Sequence, residues 1–334
     1  MADPRISFTA ANTVAFLDDG AQATLPAGGV LIRNLFTLVS PGTELACLAG
    51  LESAWFKFPK VPGYCAVGVV ESVAAGVTGY AVGDQVLHYG GHQLWQTAIP
   101  GVDFLCRVPA GVSLPQVPFA RVATIAMTAL RQSGIQLGDD VAVTGLGPVG
   151  NLAAQLAALQ GARVVGFDPD AFRVGLAKAC GLNDVLPGGP AAQAEAAGHL
   201  LDGRGFSSLI EASGRAATVV EALPLMARTG EVLLLGTPRA AHQTDLAAVL
   251  RAFHLADRAL TLKPAHEWIR PVAEDRFTKH SFARDSRIAL DLIGSGRLRI
   301  APLITHTVTP QDAPAIYRDL AAGKSGYSGV VIAW

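Results

Sequence analysis

Residues 141–150, VAVTGLGPVG, constrain the fold of this chain more than any other stretch. An apolar run, Val141 to Thr144, enters the turn Gly145-Leu146-Gly147-Pro148-Val149-Gly150. Apolar residues then recur three and four apart, at Val149, Leu152, Ala153, Leu156 and Leu159, as far as Gly161. That spacing predicts a helix with one buried face, stopped by a glycine. A second apolar strand, Arg163 to Phe167, runs into Asp168. Each glycine has a physical task in such a strand–turn–helix unit. Gly145 permits the tight turn, Gly147 bares the backbone where a pyrophosphate must approach, and Gly150 lets helix and strand pack closely. The first turn of the helix adds N–H groups without intrahelical partners and the positive end of its dipole. Asp168 can accept hydrogen bonds from both hydroxyls of an adenosine ribose. The expected ligand is therefore a dinucleotide. The carboxylate repels a ribose 2′-phosphate, which favours NAD(H) over NADP(H). Arg173, five residues on, tempers that preference if it faces the phosphate rather than solvent.

The texture of the chain changes on either side of this unit. The first 118 residues hold β-branched runs cut by Gly and Pro, such as VLIRNLFTLV and GDQVLHYG, with no convincing helical period. From Phe119 helical and strand patterns alternate, with FARVATIAMTALRQSG as a helix and SLIEAS and EVLLLGT as later strands. Alternation of this kind predicts a parallel sheet covered by helices on both faces. Ala212, Ser213, Gly214, Gly236 and Thr237 then fall in loops at the carboxyl ends of strands, where open α/β sheets bind ligands. Lys263 to Arg287 is charge-rich and reads either as a lid or as a solvated connection. A helical period returns in RIALDLIGSGRL, and GYSGVVIAW closes as a strand. The expected organisation is α/β: a β-rich domain from 1–118 and 268–334, and a doubly wound parallel sheet from 119–267.

Composition narrows the function. With 334 residues there is room for two full cores, and 16% charged residues with a net charge of −1 give no field that favours nucleic acid or an anionic membrane. No apolar run approaches the roughly 20 residues needed to span a bilayer, and no secretory leader is evident. A cytoplasmic protein is expected. Cys47, Cys65, Cys106 and Cys180 are scattered, with no CxxC and no zinc-like spacing, so buried free thiols are expected.

SPGTE (40–44), VPGYCAVGVV (61–70), GDQV (83–86), TGLGPVG, IEASG (210–214) and GEVLLLG (230–236) together resemble the medium-chain dehydrogenase/reductase superfamily. The resemblance covers nearly the whole chain. It implies a GroES-like catalytic domain, a Rossmann domain, an active-site cleft between them, a small-molecule substrate, and a homodimer or homotetramer. It also exposes departures. The better-known branch binds catalytic zinc through the Cys of a Cys-Gly-Thr/Ser-Asp motif and the His of a Gly-His-Glu motif. Here those positions are Pro41 and Tyr64, and the loop of four cysteines that holds a structural zinc is absent. A catalytic zinc needs three protein ligands, so no metal is expected at either place. Thr43 matches the position whose hydroxyl touches the reacting oxygen, and Thr128 a position beside the nicotinamide. The relay histidine of the family is Ala46 here, so any proton relay is broken or rerouted. Tyr64 is either a packed ring with a satisfied hydroxyl or a proton donor. His88, His92, His266 and His280 are loose acid–base candidates or structural histidines. The expected activity is zinc-independent hydride transfer between NAD(H) and a secondary alcohol or ketone, with quinone or enone reduction as the alternative. A dinucleotide-binding sensor or structural protein without turnover is the alternative of another class.

Overall fold

Runs of buried, largely apolar residues build the strands of the first unit. β1 (Arg5–Ala10) and β2 (Thr13–Leu17) form a hairpin. β3 (Val30–Val39) follows, then α1 (Pro41–Leu48), β4 (Ala66–Val73), β5 (Gln85–His88), β6 (Trp95–Ala98) and β7 (Leu105–Arg107). α2 (Phe119–Gln132) leads to the strand–helix repeats β8 (Asp140–Thr144), α3 (Pro148–Leu159), β9 (Arg163–Asp168), α4 (Ala171–Ala179) and β10 (Val185–Pro187). Next come α5 (Ala194–Leu200), β11 (Phe206–Glu211), α6 (Ala216–Ala222), β12 (Met226–Leu234), α7 (Leu246–His254) and β13 (Thr261–Pro264). α8 (Phe282–Gly294), β14 (Ile304–Val308), α9 (Ala313–Ala321) and β15 (Gly329–Ala333) complete the chain. This computed structural model describes residues 3–20 and 23–334.

Two compact units result. One comprises the chain up to Arg121 together with Val272–Gly296 and Ile304–Trp334; the other is Val122–Pro271 with Arg297–Leu303. In the first, the sheet order is β14-β15-β3-β4-β5-β7, with β6 also pairing β3. β1 and β15 contribute Ile6, Phe8, Val330 and Ile332 to a core that α9 closes with Ile316 and Tyr317. In the second, six parallel strands run β10-β9-β8-β11-β12-β13. Strand order reverses between β8 and β11. That reversal is the topological switch point at which doubly wound sheets open a crevice for ligands.

Several elements differ from what periodicity suggests. α1 lies in the stretch that shows no helical period. It has eight residues, little over two turns, too short for a repeat to emerge, and its signals are Pro41 in the first turn and Glu44 beside it. The charge-rich run from Lys263 is not one element. It closes β13, makes a short 3₁₀ turn at Glu267–Ile269, and opens α8. Within it Ala265, Arg270, Phe282 and Asp285 are buried, whereas Trp268 and Phe277 are exposed. Residues 297–303, expected with the β-rich part, join the Rossmann unit. Arg299 secures them: its N–H donates to Gln155 Oε1 at 2.8 Å, and its carbonyl accepts from Gln155 Nε2 at 3.1 Å.

Candidate functional site

The glycine turn sits at the carboxyl end of β8, beside the switch point. Gly145 has φ +83°, and a Cβ on it would fall 2.8 Å from Ser213 Cα, so both conformation and space demand glycine. A Cβ on Gly150 would overlap the carbonyl oxygen of Gly145. The helix therefore rests directly on the turn. Gly147 is different: a Cβ there would meet nothing within 4 Å. Its bareness serves no protein neighbour and leaves a cradle at the start of α3. Gly147 is the N-cap, Pro148 opens the helix, and no side chain caps it. The N–H groups of the first turn thus have no side-chain acceptor and are available to an anion. Among the described residues this is what a bound dinucleotide's pyrophosphate requires.

Asp168 ends β9 with its carboxylate 1% exposed. One oxygen accepts from Leu146 N–H at 2.7 Å and the other from Asp170 N–H at 2.8 Å. The acid therefore latches the glycine turn to the second strand. Arg173 lies 3.8 Å from Asp168 and 3.9 Å from Asp170, engaged by two carboxylates. Across the switch point, the loops after β11 and β12 pack on one another. A Cβ on Gly214 would fall 2.8 Å from the Thr237 carbonyl, and one on Gly236 would overlap Gly214 N. Ala212 donates its N–H to Thr144 O at 2.9 Å. Leu146, Asp168, Ala212, Ser213, Gly214, Gly236 and Thr237 are thus gathered at one end of this sheet.

Sequence reasoning missed the residue that shapes these loops. Glu211 is fully buried. Its carboxylate accepts from Ser213 N–H at 2.8 Å, Gly214 N–H at 3.1 Å, the Ser213 hydroxyl and the Thr218 hydroxyl at 3.2 Å. Its backbone carbonyl accepts from Leu235 and Gly236. The only signal was its place in IEASG, at the end of an apolar strand. Thr128, elsewhere in the unit, is fully buried on α2, where Arg270 Nη2 donates to its hydroxyl at 2.8 Å and to Thr124 O at 2.9 Å.

In the other unit, Thr43 and Tyr64 come together. Tyr64 Oη lies 2.5 Å from Ser40 Oγ, and the nearby Thr43 hydroxyl favours the ionised form of the phenol. Burial pushes the phenol well above its ordinary pKa, so it is a neutral donor. Arg121, 1% exposed, holds the ring from its face. Its guanidinium stands 4.2 Å from the Tyr89 centroid, 5.3 Å from Phe282 and 5.4 Å from Tyr64. Nothing in the helical pattern around Arg121 separates it from a solvated arginine.

A second network holds this platform in place. Glu44 accepts from Ser40 N–H at 2.8 Å, from His92 Nε2 at 3.1 Å and from the Tyr317 hydroxyl. His92 Nδ1 lies 2.8 Å from Thr37 Oγ1, which accepts from Trp334 Nε1 at 2.9 Å. One proton assignment satisfies every group: His92 donates through Nε2, and Thr37 donates to Nδ1. A Cβ on Gly63 would lie 2.8 Å from the His92 ring, so the Gly63–Tyr64 turn drapes over this imidazole. His88 is likewise structural. It donates to Asn34 Oδ1 at 2.8 Å and accepts from Gly90 N–H at 3.0 Å, and burial pushes its pKa down to about 3. His266 is exposed and His280 partly so.

These commitments bear on which side chains could serve as metal donors. Glu44 and His92 are consumed by one another, Cys65 is fully buried, and Pro41 and Tyr64 stand where family ligands would. Among the described residues no group of three or more His, Cys, Asp and Glu is placed to hold a metal ion. The residues do not fit a catalytic zinc. All four cysteines are buried thiols, and burial raises the Cys180 thiol to about 11. No helix among the described residues is long and apolar enough to cross a membrane.

Residues 148–265 match the family model described as "Zinc-binding dehydrogenase". The chain is 28% identical over 352 aligned residues to L-threonine 3-dehydrogenase of Streptomyces coelicolor, covering 96% of both chains. It is 30% identical over 275 residues to D-guloside 3-dehydrogenase of Escherichia coli, covering 80% of this chain and 74% of that one. Galactitol-1-phosphate dehydrogenase from Escherichia coli shares the fold at a TM-score of 0.82 and 17% identity, over 99% of this chain and 100% of that one.

Proposed function

Because the chain belongs to the alcohol dehydrogenase-like medium-chain dehydrogenase/reductase superfamily and is an oxidoreductase, we propose that it transfers hydride between NAD(H) and a secondary alcohol or ketone without zinc. The observation that carries this reading is the open cradle at Gly147, framed by the uncapped start of α3. When bound, the dinucleotide supplies or accepts the hydride. Its pyrophosphate would rest on the N–H groups after Gly147, with its adenosine ribose against Asp168. Asp168 and the already engaged Arg173 support NAD(H) rather than NADP(H). The loops 212–214 and 236–237 would hold the nicotinamide half, with Thr128 beside it.

Without a Lewis acid, the substrate oxygen must be held by hydrogen bonds. Thr43 and Tyr64 provide two adjacent hydroxyls for that work. The named relatives are dehydrogenases of hydroxylated small molecules, threonine and a guloside, which favours alcohol/ketone exchange over quinone or enone reduction. The test is fluorescence titration with NADH and NADPH, followed by turnover with secondary alcohols, ketones, quinones and enones. Tighter NADH binding and turnover of alcohols or ketones are expected. Turnover of quinones or enones alone would replace the substrate class, and absence of dinucleotide binding would end the proposal.

A further inference from the structure

The proton needed at the substrate oxygen must come from somewhere, and the family's relay position holds Ala46. Ser40 is the residue whose geometry lacks a structural explanation. It is the N-cap of α1, where a serine ordinarily accepts from a backbone N–H of the first turn. Its side chain makes no such bond. Instead Glu44 takes the backbone N–H of Ser40, and the hydroxyl turns to Tyr64 Oη at 2.5 Å. Ser40 is partly exposed, whereas Thr37, Leu38 and Val39 before it are buried. The Tyr64 hydroxyl is thus linked to a residue open to water.

Resting on the hydride-transfer reading above, we propose that Ser40 is the outer member of a proton relay, Tyr64–Ser40, with the Thr43 hydroxyl beside the phenol. On ketone reduction the C4–H bond of the dihydronicotinamide breaks and a new C–H bond forms at the carbonyl carbon. The oxygen takes the Tyr64 proton, Tyr64 takes that of Ser40, and water reprotonates Ser40. Alcohol oxidation runs the same steps backwards and releases the proton to water. Neither the buried Glu44–His92 pair nor His88 lies on this path, because each ring nitrogen already has a partner.

The test compares wild type with Ser40→Ala and Ser40→Thr in three measurements. The first is NADH affinity. The second is kcat in mixtures of H₂O and D₂O. The third is the ¹⁹F titration of 3,5-difluorotyrosine placed at position 64. Ser40→Ala should leave NADH affinity unchanged, lower kcat about 10- to 100-fold, reduce the number of protons in flight, and raise the midpoint of the fluorinated phenol. Ser40→Thr, which keeps the hydroxyl, should restore all three. If Ser40→Ala retains wild-type kcat and the same D₂O dependence, the relay is wrong while hydride transfer stands. If wild type binds NADH but turns over nothing, both readings fall.

Discussion

The two units build function in opposite ways. In the Rossmann unit the ligand site is made by taking side chains away. On the proposed reading, Gly145, Gly147 and Gly150 leave room for a turn, a phosphate and a helix, and backbone N–H groups would do the binding. In the β-rich unit the site is made by bringing side chains in. Ser40 with Thr43, Tyr64 and Arg121 arrive from three segments, and Glu44, His92, Tyr317 and Trp334 form the network that supports them. A site of the first kind follows from local chain geometry. A site of the second kind depends on tertiary packing.

That contrast can be broken most forcefully at the glycines. Gly150→Val should leave too little correctly folded protein for binding, because its side chain overlaps the Gly145 carbonyl. Gly147→Val should fold like wild type by circular dichroism yet lose on the order of 100-fold in NADH affinity, about 2.7 kcal/mol. Equal folding defects in both variants would show that the space at Gly147 is not reserved for a ligand. In the β-rich unit, Glu44→Ala leaves three buried donors without their acceptor. Urea unfolding should register a loss of about 3–5 kcal/mol, with NADH affinity in the other unit little changed. Arg121→Met should cost less, about 2–3 kcal/mol, through lost cation–π contacts, and should lower kcat by loosening Tyr64.

A smaller effect comes from His88. Its folded pKa of about 3 lies below the ordinary value of 6.5. Between those values the unfolded chain binds a proton that the folded chain refuses. Stability should therefore fall as pH drops from about 6.5 towards 3, at no more than roughly 1.4 kcal/mol per pH unit. His88→Gln, which can still donate to Asn34 and accept from Gly90, should flatten that slope. An unchanged slope would assign the acid sensitivity to other groups.

Legibility in the sequence follows the same division. The βαβ unit, the glycine turn and Asp168 were readable because strand, turn and helix are contiguous and each leaves a periodic trace. The loops at 212–214 and 236–237 were readable as strand ends. Glu211 was not, since an acid at the end of an apolar strand looks like a solvated terminus until its four acceptor contacts are seen. Thr43 and Tyr64 were reached through resemblance rather than periodicity, and the hydrogen bond that fixes Tyr64 joins it to Ser40, 24 residues away in sequence. Ser40, Arg121 and the Glu44–His92 pair carry no local signature at all. α1 was invisible for a simpler reason, since eight residues are too few for a period to show.

The central claim is that hydroxyls, not a metal, meet the substrate oxygen. Its most direct test is the rate of hydride transfer by protein stripped with a strong chelator, with zinc content measured on the same sample. The account predicts an undiminished rate at far below one zinc per chain. Activity that vanishes on stripping and returns with one equivalent of zinc would contradict it.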